Sequence, residues 1–282
     1  MLVIHIGLPK TGTTFLQGMF RHTAGIAFVH RKLGTDEARL CHDLRRFARM
    51  NALAVPFYRR RIEAPLSALL EAATPRPVLV SDEDISITAG GFWRGTGAEP
   101  APLARRLARL GRRLGPKASP LRVIIGVRGQ DQWLASRYAE SSRMFPDFGQ
   151  ADFDARLARL AEGGPLAGPA RWLDYRQVRD SFTRALGAEN VLLLPLERLA
   201  ASPEEALDDV GRFLGGVEVA RGAARQPSRQ RNSLSIGENV WRMRRDGTPL
   251  RLDDALQAAL RNRFAASNRA VSTDLPAEAS AP

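Results

Sequence analysis

The chain has 282 residues, 44% hydrophobic and 26% charged, with a net charge of +12 and an isoelectric point near 11.1. No apolar run approaches the ~20 residues of a membrane span, and a single cysteine, Cys41, excludes an intramolecular disulfide. With four scattered histidines there is no zinc pattern either, so the expectation is a globular protein in a reducing cytoplasm.

Leu2 to Ile6 is a short apolar run with β-branched residues and reads as a buried strand. It starts at the N-terminus, with no basic, apolar and cleavage regions in series ahead of it. Gly7 to Gly12 holds two glycines, a proline and a lysine in six positions, which is a tight turn. From Thr13 the apolar residues Phe15, Leu16, Met19 and Phe20 fall at helical spacing. Strand, glycine loop and helix together aim backbone N–H groups and a helix N-terminus at one spot, a site for phosphate or sulfate.

The loop departs from a nucleotide-binding P-loop. That motif places a lysine directly after the second glycine, followed by Ser or Thr. Here Thr13 takes the lysine's position, Thr14 follows, and Lys10 lies inside the loop. The chain has 42 basic residues, yet lysine stands only at Lys10, Lys32 and Lys117. A lysine kept in a glycine loop against so strong an arginine bias points to a compact ammonium, which a guanidinium fork does not mimic.

Further along, Asp36–Met50 and Arg61–Ala73 carry apolar residues at helical spacing, and Pro75 and Pro77 then break the chain before a strand over Val78–Val80. That strand runs into Ser81-Asp82-Glu83-Asp84, an acidic cluster where ligand sites of parallel sheets gather. A carboxylate there can take a proton from an attacking hydroxyl; Asp82 or Asp84 can equally cap a following helix. Gly90–Pro100, with Phe92 and Trp93, reads as a substrate lid or as a surface connection. Leu103–Leu114 is an arginine-laced helix, and Arg122–Val127 is a third strand ending at Arg128. Gln130 or Asp131 opens the next helix, with Ser136 in its second turn. Helices are expected near Asp152–Ala161 and Arg171–Leu186, and a fourth strand at Val191–Leu194. Ser202, Pro203 and Glu205 have the spacing of a capping box. Gly222–Ser235 is an arginine-rich loop, and a last helix spans about Leu252–Phe264. Strands alternating with helices predict one α/β domain over residues 1–271, a mostly parallel sheet covered on both faces, and a flexible tail over 272–282.

The run Pro9-Lys10-Thr11-Gly12-Thr13-Thr14-Phe15-Leu16 resembles the phosphosulfate loop of sulfotransferases that use 3′-phosphoadenosine 5′-phosphosulfate (PAPS). Arg128 and Ser136, at a strand end and eight residues on, match the same family's pair for the 3′-phosphate, and residues 191–215 are similar to its later segment. The resemblance implies a P-loop-like fold and transfer of a sulfuryl group from PAPS to a hydroxyl of a small molecule or glycan. It implies that Lys10 neutralises the bridging oxygen and that Lys10, Thr11, Gly12, Thr13 and Thr14 bind the 5′-phosphate. It also puts Glu83 forward as the base and adenosine 3′,5′-bisphosphate as the product, without a metal. Arg229 and Arg231 are candidate contacts to the 3′-phosphate in a loop that departs from the family's basic motif; an exposed loop is the other reading. Two alternatives stand beside this one: a P-loop kinase or NTPase using Mg-ATP with Asp82 on the metal, and a non-catalytic binder of polyanions such as nucleic acid. The spread of the arginines and the few aromatics argue against nucleic acid. Oligomeric state is not legible.

Overall fold

The computed structural model describes residues 1–50, 55–88, 90–221 and 234–272. Five strands, β1 (Leu2–His5), β2 (Ala27–Val29), β3 (Val78–Ser81), β4 (Leu121–Val127) and β5 (Val191–Pro195), form one sheet in the order β2-β3-β1-β4-β5. All four neighbouring pairs are parallel. The central β1 pairs Leu2 with Val78 on one side and with Leu121 on the other.

Because alternate residues of a strand face opposite sides, the apolar runs serve two cores. Leu2, Ile4, Val78, Val80, Val123 and Ile125 enter the larger one. Val3, Leu79 and Ile124 enter the smaller one on the other face. There they meet Leu16, Met19 and Phe20 of α1 (Thr13–Arg21) and Leu207 and Val210 of a later helix, Pro203–Phe213. The larger face is covered by α2 (Thr35–Arg49), α3 (Val55–Ala73), α4 (Pro100–Leu114), α5 (Gln130–Ser141), α6 (Gln150–Ala161) and α7 (Tyr175–Leu186). Among the described residues the remaining α-helices are α8 (Leu196–Ala201), α9 (Pro203–Phe213) and α10 (Asp254–Arg269). Among the described residues no helix is long and apolar enough to cross a membrane.

The expected parallel α/β layout is present, with several corrections in detail. The sheet has a fifth strand, β2, whose three residues are too few to carry a period-2 signal. A second, antiparallel sheet of β6 (Ser235–Gly237), β7 (Val240–Arg242) and β8 (Pro249–Arg251) escapes sequence reading for the same reason. Its Trp241 and Leu250 are buried in the larger core. The single helix expected over Arg171–Leu186 is broken: a 3-10 turn ends at Leu173, and the Asp174 side chain accepts from the Gln177 N–H to start α7. Ser202 precedes α9, but its hydroxyl makes no cap, so the capping box is not formed. The last helix starts behind Asp253, whose carboxylate accepts from the N–H groups of Ala255 and Leu256, and it runs on to Arg269. Within the Gly90–Pro100 segment Phe92 is buried and Trp93 half-buried. Their rings pack edge-on against each other, Phe92 against Trp133 and Trp93 against Tyr138. From residue 273 the expected tail lies outside the described residues.

Candidate active site

Three neighbouring strands deliver the site. Leu8 N–H donates to the Gly126 carbonyl at 3.0 Å, so the glycine loop leaves β1 beside the end of β4, two residues before Arg128. On the other side Asp82 N–H donates to the His5 carbonyl at 3.0 Å, which brings the acidic cluster of β3 level with the loop's start. Lys10, Arg128 and Glu83 therefore emerge from one edge of the sheet, the carboxyl edge where α/β sheets place their ligands.

The loop's shape is set by close contacts. Gly12 has φ +80°, and a Cβ there would come within 3.0 Å of Leu196. It occupies the N-cap position of α1, and no side chain caps that helix. The first turn of a helix has N–H groups without intrahelical partners, a donor set whose chemistry suits an anion. Lys10 also has a positive φ, 70°, which costs a non-glycine residue on the order of 1 kcal/mol. Thr11 is fully buried; its hydroxyl donates to the Leu8 carbonyl at 2.5 Å and packs against Gly126, where any Cβ would collide with it. What Thr11 can offer a ligand is its backbone N–H. Thr13 is buried and Thr14 exposed at the start of α1.

Helix α5 closes over the loop from the β4 side. Trp133 Nε1–H donates to the Pro9 carbonyl at 2.7 Å. Glu140 Oε1 lies 2.9 Å from Lys10 Nζ, and its other oxygen accepts from buried Arg137 at 2.7 Å. Arg128 stands immediately before this helix, its carbonyl accepting from Tyr175 Oη. Burial lowers the Arg128 pKa, an effect opposed by Glu197, Asp131 and Tyr175 nearby. Glu197 itself accepts from the Gly129 N–H at 2.9 Å, and burial raises its pKa. Ser136 is buried in the second turn of α5. Arg229 and Arg231 lie outside the described residues.

The acids are differently placed. Asp82 is fully buried, accepts from the Asp84 N–H, and is held by Arg31 at 3.1 Å and Arg45 at 2.6 Å. It is the cap of the short 3-10 turn Glu83–Ile85. Asp84 takes Arg31 at 2.8 Å and Arg45 at 3.6 Å, and its carbonyl accepts from Arg49. Glu83 shares only Arg31 among these arginines, at 3.2 Å, and its other oxygen accepts from Gln17 Nε2 of α1 at 3.0 Å. Its side chain is 17% exposed, against 0% for Asp82. Burial would raise the Glu83 pKa, but Arg31, Gln17 and neighbouring groups outweigh it and lower it, so Glu83 is ionised at neutral pH.

Sequence reading thus located Lys10, Glu83 and Arg128 at one edge, but missed the groups that hold them. Arg31 lies in no motif, and Gln17, Arg45 and Glu140 are ordinary polar positions along their helices. Their spacing within their own helices is unremarkable; only the packing of α1, α2 and α5 against the strand ends brings them in.

No protein-family model matches the chain, and no curated protein matches it in sequence. Solved structures do. Three of them are sulfotransferases or sulfotransferase domains. The sulfotransferase domain of the olefin synthase of Synechococcus PCC 7002 is 16% identical, with a TM-score of 0.42 over 99% of this chain and 90% of that one. A sulfotransferase from Alicyclobacillus acidocaldarius is 16% identical, with a TM-score of 0.45 over 77% of this chain and 83% of that one. The sulfotransferase domain of the curacin biosynthetic pathway is 15% identical, with a TM-score of 0.40 over 91% and 88% of the two chains. The likeness is one of fold.

Proposed function

We propose that this protein is a sulfotransferase that moves a sulfuryl group from PAPS to an acceptor hydroxyl, with a carbohydrate or glycan as the acceptor class. The observation that carries the reading is the loop: an uncapped helix N-terminus behind Gly12, with the lysine inside the turn and threonine where a nucleotide-triphosphate loop needs lysine. Such a cradle supplies backbone N–H groups and one ammonium, a donor set that fits a phosphosulfate. The donor, when bound, supplies an activated sulfuryl group on a good leaving phosphate.

In this reading the residues divide the work by position. The N–H groups of Thr11 to Thr14, with the hydroxyls of Thr13 and Thr14, hold the 5′-phosphate. Lys10 leaves Glu140 to face the oxygen that bridges sulfur and phosphorus, where negative charge grows. Arg128 and Ser136 take the 3′-phosphate, and a guanidinium suits that role through paired charge-assisted hydrogen bonds. Glu83 receives the acceptor's proton. The acceptor oxygen forms its bond to sulfur as the sulfur–oxygen bond to the leaving phosphate breaks, the electron pair departing on that phosphate. The many arginines and few aromatics favour a sugar or acidic glycan over a flat phenol.

Against a magnesium-dependent kinase stands Asp82, the acid such an enzyme would place on the metal: it is buried and taken by Arg31 and Arg45. Calorimetric titration with adenosine 3′,5′-bisphosphate beside Mg-ATP separates the readings. Tight binding of the bisphosphate alone is expected. Binding of Mg-ATP alone overturns the proposal in favour of a kinase, and binding of neither leaves a fold without this function.

A further inference from the structure

A line of polar side chains joins Glu83 to the strand beneath the glycine loop, and none of the steps above uses it. His5 and Ser81 are direct partners across β1 and β3, so the pleat turns both toward the α1 side of the sheet. His5 Nδ1 lies 2.8 Å from Ser81 Oγ, and the His5 ring meets Phe20 of α1 edge-on. From α1, Gln17 Nε2 reaches Ser81 Oγ at 3.2 Å and Glu83 Oε2 at 3.0 Å. His5 and Ser81 are both fully buried.

The direction of each hydrogen bond follows from the carboxylate end. Glu83 is ionised and salt-bridged to Arg31, so it can only accept. Gln17 must therefore turn its NH2 toward Glu83, and the same NH2 donates to Ser81 Oγ. The one proton of Ser81 is then directed at His5 Nδ1, which makes His5 a neutral acceptor there and places its ring proton on Nε2. Burial keeps the imidazole neutral, with its pKa lowered to about 4 despite the opposing pull of Glu83. With ionised Glu83 as a fixed acceptor the Gln17 amide has one orientation, and at the far end of the line the buried His5 Nε2 meets no hydrogen-bond partner among the described residues.

We propose that Gln17 is a positioning residue for Glu83, and that Ser81 and His5 behind it lock the Gln17 amide with its NH2 on Glu83 Oε2. With Arg31 on Oε1 and Gln17 on Oε2, both carboxylate oxygens are pinned and the plane of the base is fixed against the glycine loop's own helix. Oε1 is committed to a guanidinium, so the acceptor's proton arrives on Oε2, the oxygen beside Gln17. The inference rests on the reading of Glu83 as the base.

The test uses the full chain labelled with 13C in the glutamate side chains, with Glu83→Gln assigning its resonance. Glu83 is faced by Arg31, Asp82, His5, His30 and Arg137 as well as by Gln17, so the variants alter Gln17 and Ser81 and leave those charges in place. Gln17→Ala is expected to raise the Glu83 pKa by about one unit, because a donor to the charged form is lost. Sulfate release from PAPS is expected to fall at least about tenfold in kcat, with the Kd for adenosine 3′,5′-bisphosphate within about twofold. Gln17→Asn, which keeps the amide but shortens its reach to Glu83, is expected to recover only part of the loss in Gln17→Ala, and Ser81→Thr to restore what Ser81→Ala loses. An unchanged Glu83 pKa and kcat in Gln17→Ala, with Glu83→Gln inactive, overturns the proposal. Full activity in Glu83→Gln instead overturns the assignment of the base, while the Glu83 titration still reports separately whether Gln17 holds that carboxylate.

Discussion

Lys10 Nζ lies 2.9 Å from Glu140 Oε1, so the ammonium of the glycine loop is held by an anion on α5. Glu140 is braced in turn by Arg137, which is 1% exposed and also donates to the Thr88 carbonyl. In the proposed reaction Lys10 must give up this carboxylate to face the phosphosulfate. Glu140→Gln is expected to tighten adenosine 3′,5′-bisphosphate binding by up to about tenfold, since a nearby negative charge is removed. It also leaves Arg137 with less compensation, so a drop of a few degrees in Tm is expected alongside. Calorimetry and thermal unfolding of the same preparation check both; weaker binding would show that Glu140 orients Lys10 rather than competing for it.

Lys10→Ala is expected to lower the transfer rate roughly 100- to 1,000-fold, the usual cost of losing one electrostatic partner of a transition state. The change in stability should be small beside this, because Lys10 is partly exposed and Glu140 keeps its ion pair with Arg137. Lys10→Arg is expected to recover little activity, because a planar fork cannot occupy the place of a compact ammonium. A near-normal rate in Lys10→Ala would remove Lys10 from the mechanism.

Glu83→Gln is expected to bind the bisphosphate normally and to lose transfer. Asp84→Asn serves as the comparison, because Asp84 lies one residue on and shares Arg31 with Glu83. If Asp84→Asn is the inactive variant and Glu83→Gln the active one, Asp84 is the base.

Arg128→Ala is expected to weaken the bisphosphate at least about 30-fold, since a hydrogen bond to a charged group contributes roughly 2 kcal/mol or more. The same variant should bind inorganic sulfate unchanged, because the glycine loop is untouched. An unaltered affinity for the bisphosphate would exclude Arg128 from the 3′-phosphate site.

Stability should fall on mild acidification. Burial lowers the pKa of His5 and His30 to about 4 each, with Glu83 opposing the shift in both. In the unfolded chain they titrate near 6.5. Between these values the unfolded state binds more protons, so stability present above pH 6.5 is lost as pH falls toward 4, by about 1.4 kcal/mol per pH unit for each site in mid-window. Asp82 and Glu197, whose carboxyls burial raises, act with the opposite sign. Urea unfolding between pH 4.5 and 7 for the wild type and His30→Phe isolates the histidine contribution. His30 stacks on Phe28, so an aromatic replacement keeps the packing. Parallel stability curves for the two proteins would contradict the burial effect.

Local residue order by itself determined the strand–loop–helix at residues 2–21, the runs of the four longer central strands, and the positions of Lys10, Glu83 and Arg128 at strand ends. Those signals are local: β-branched apolar runs, glycine and proline punctuation, and helical spacing. It did not reveal β2 or the β6–β8 sheet, because three-residue strands exist only through their pairing. Nor did it separate Glu83 from Asp82 and Asp84, which are adjacent and chemically alike. The tertiary structure separates them by who arrives from elsewhere. Arg31 and Arg45 converge on fully buried Asp82 and both also reach Asp84. Glu83 takes Arg31 alone of the two, with Gln17 on its other oxygen, and Arg31 first and Gln17 after it lower its pKa. These contacts span 37 to 66 residues of sequence. The charge state of a carboxyl depends on neighbours at a few ångströms, and only the folded chain decides who those neighbours are.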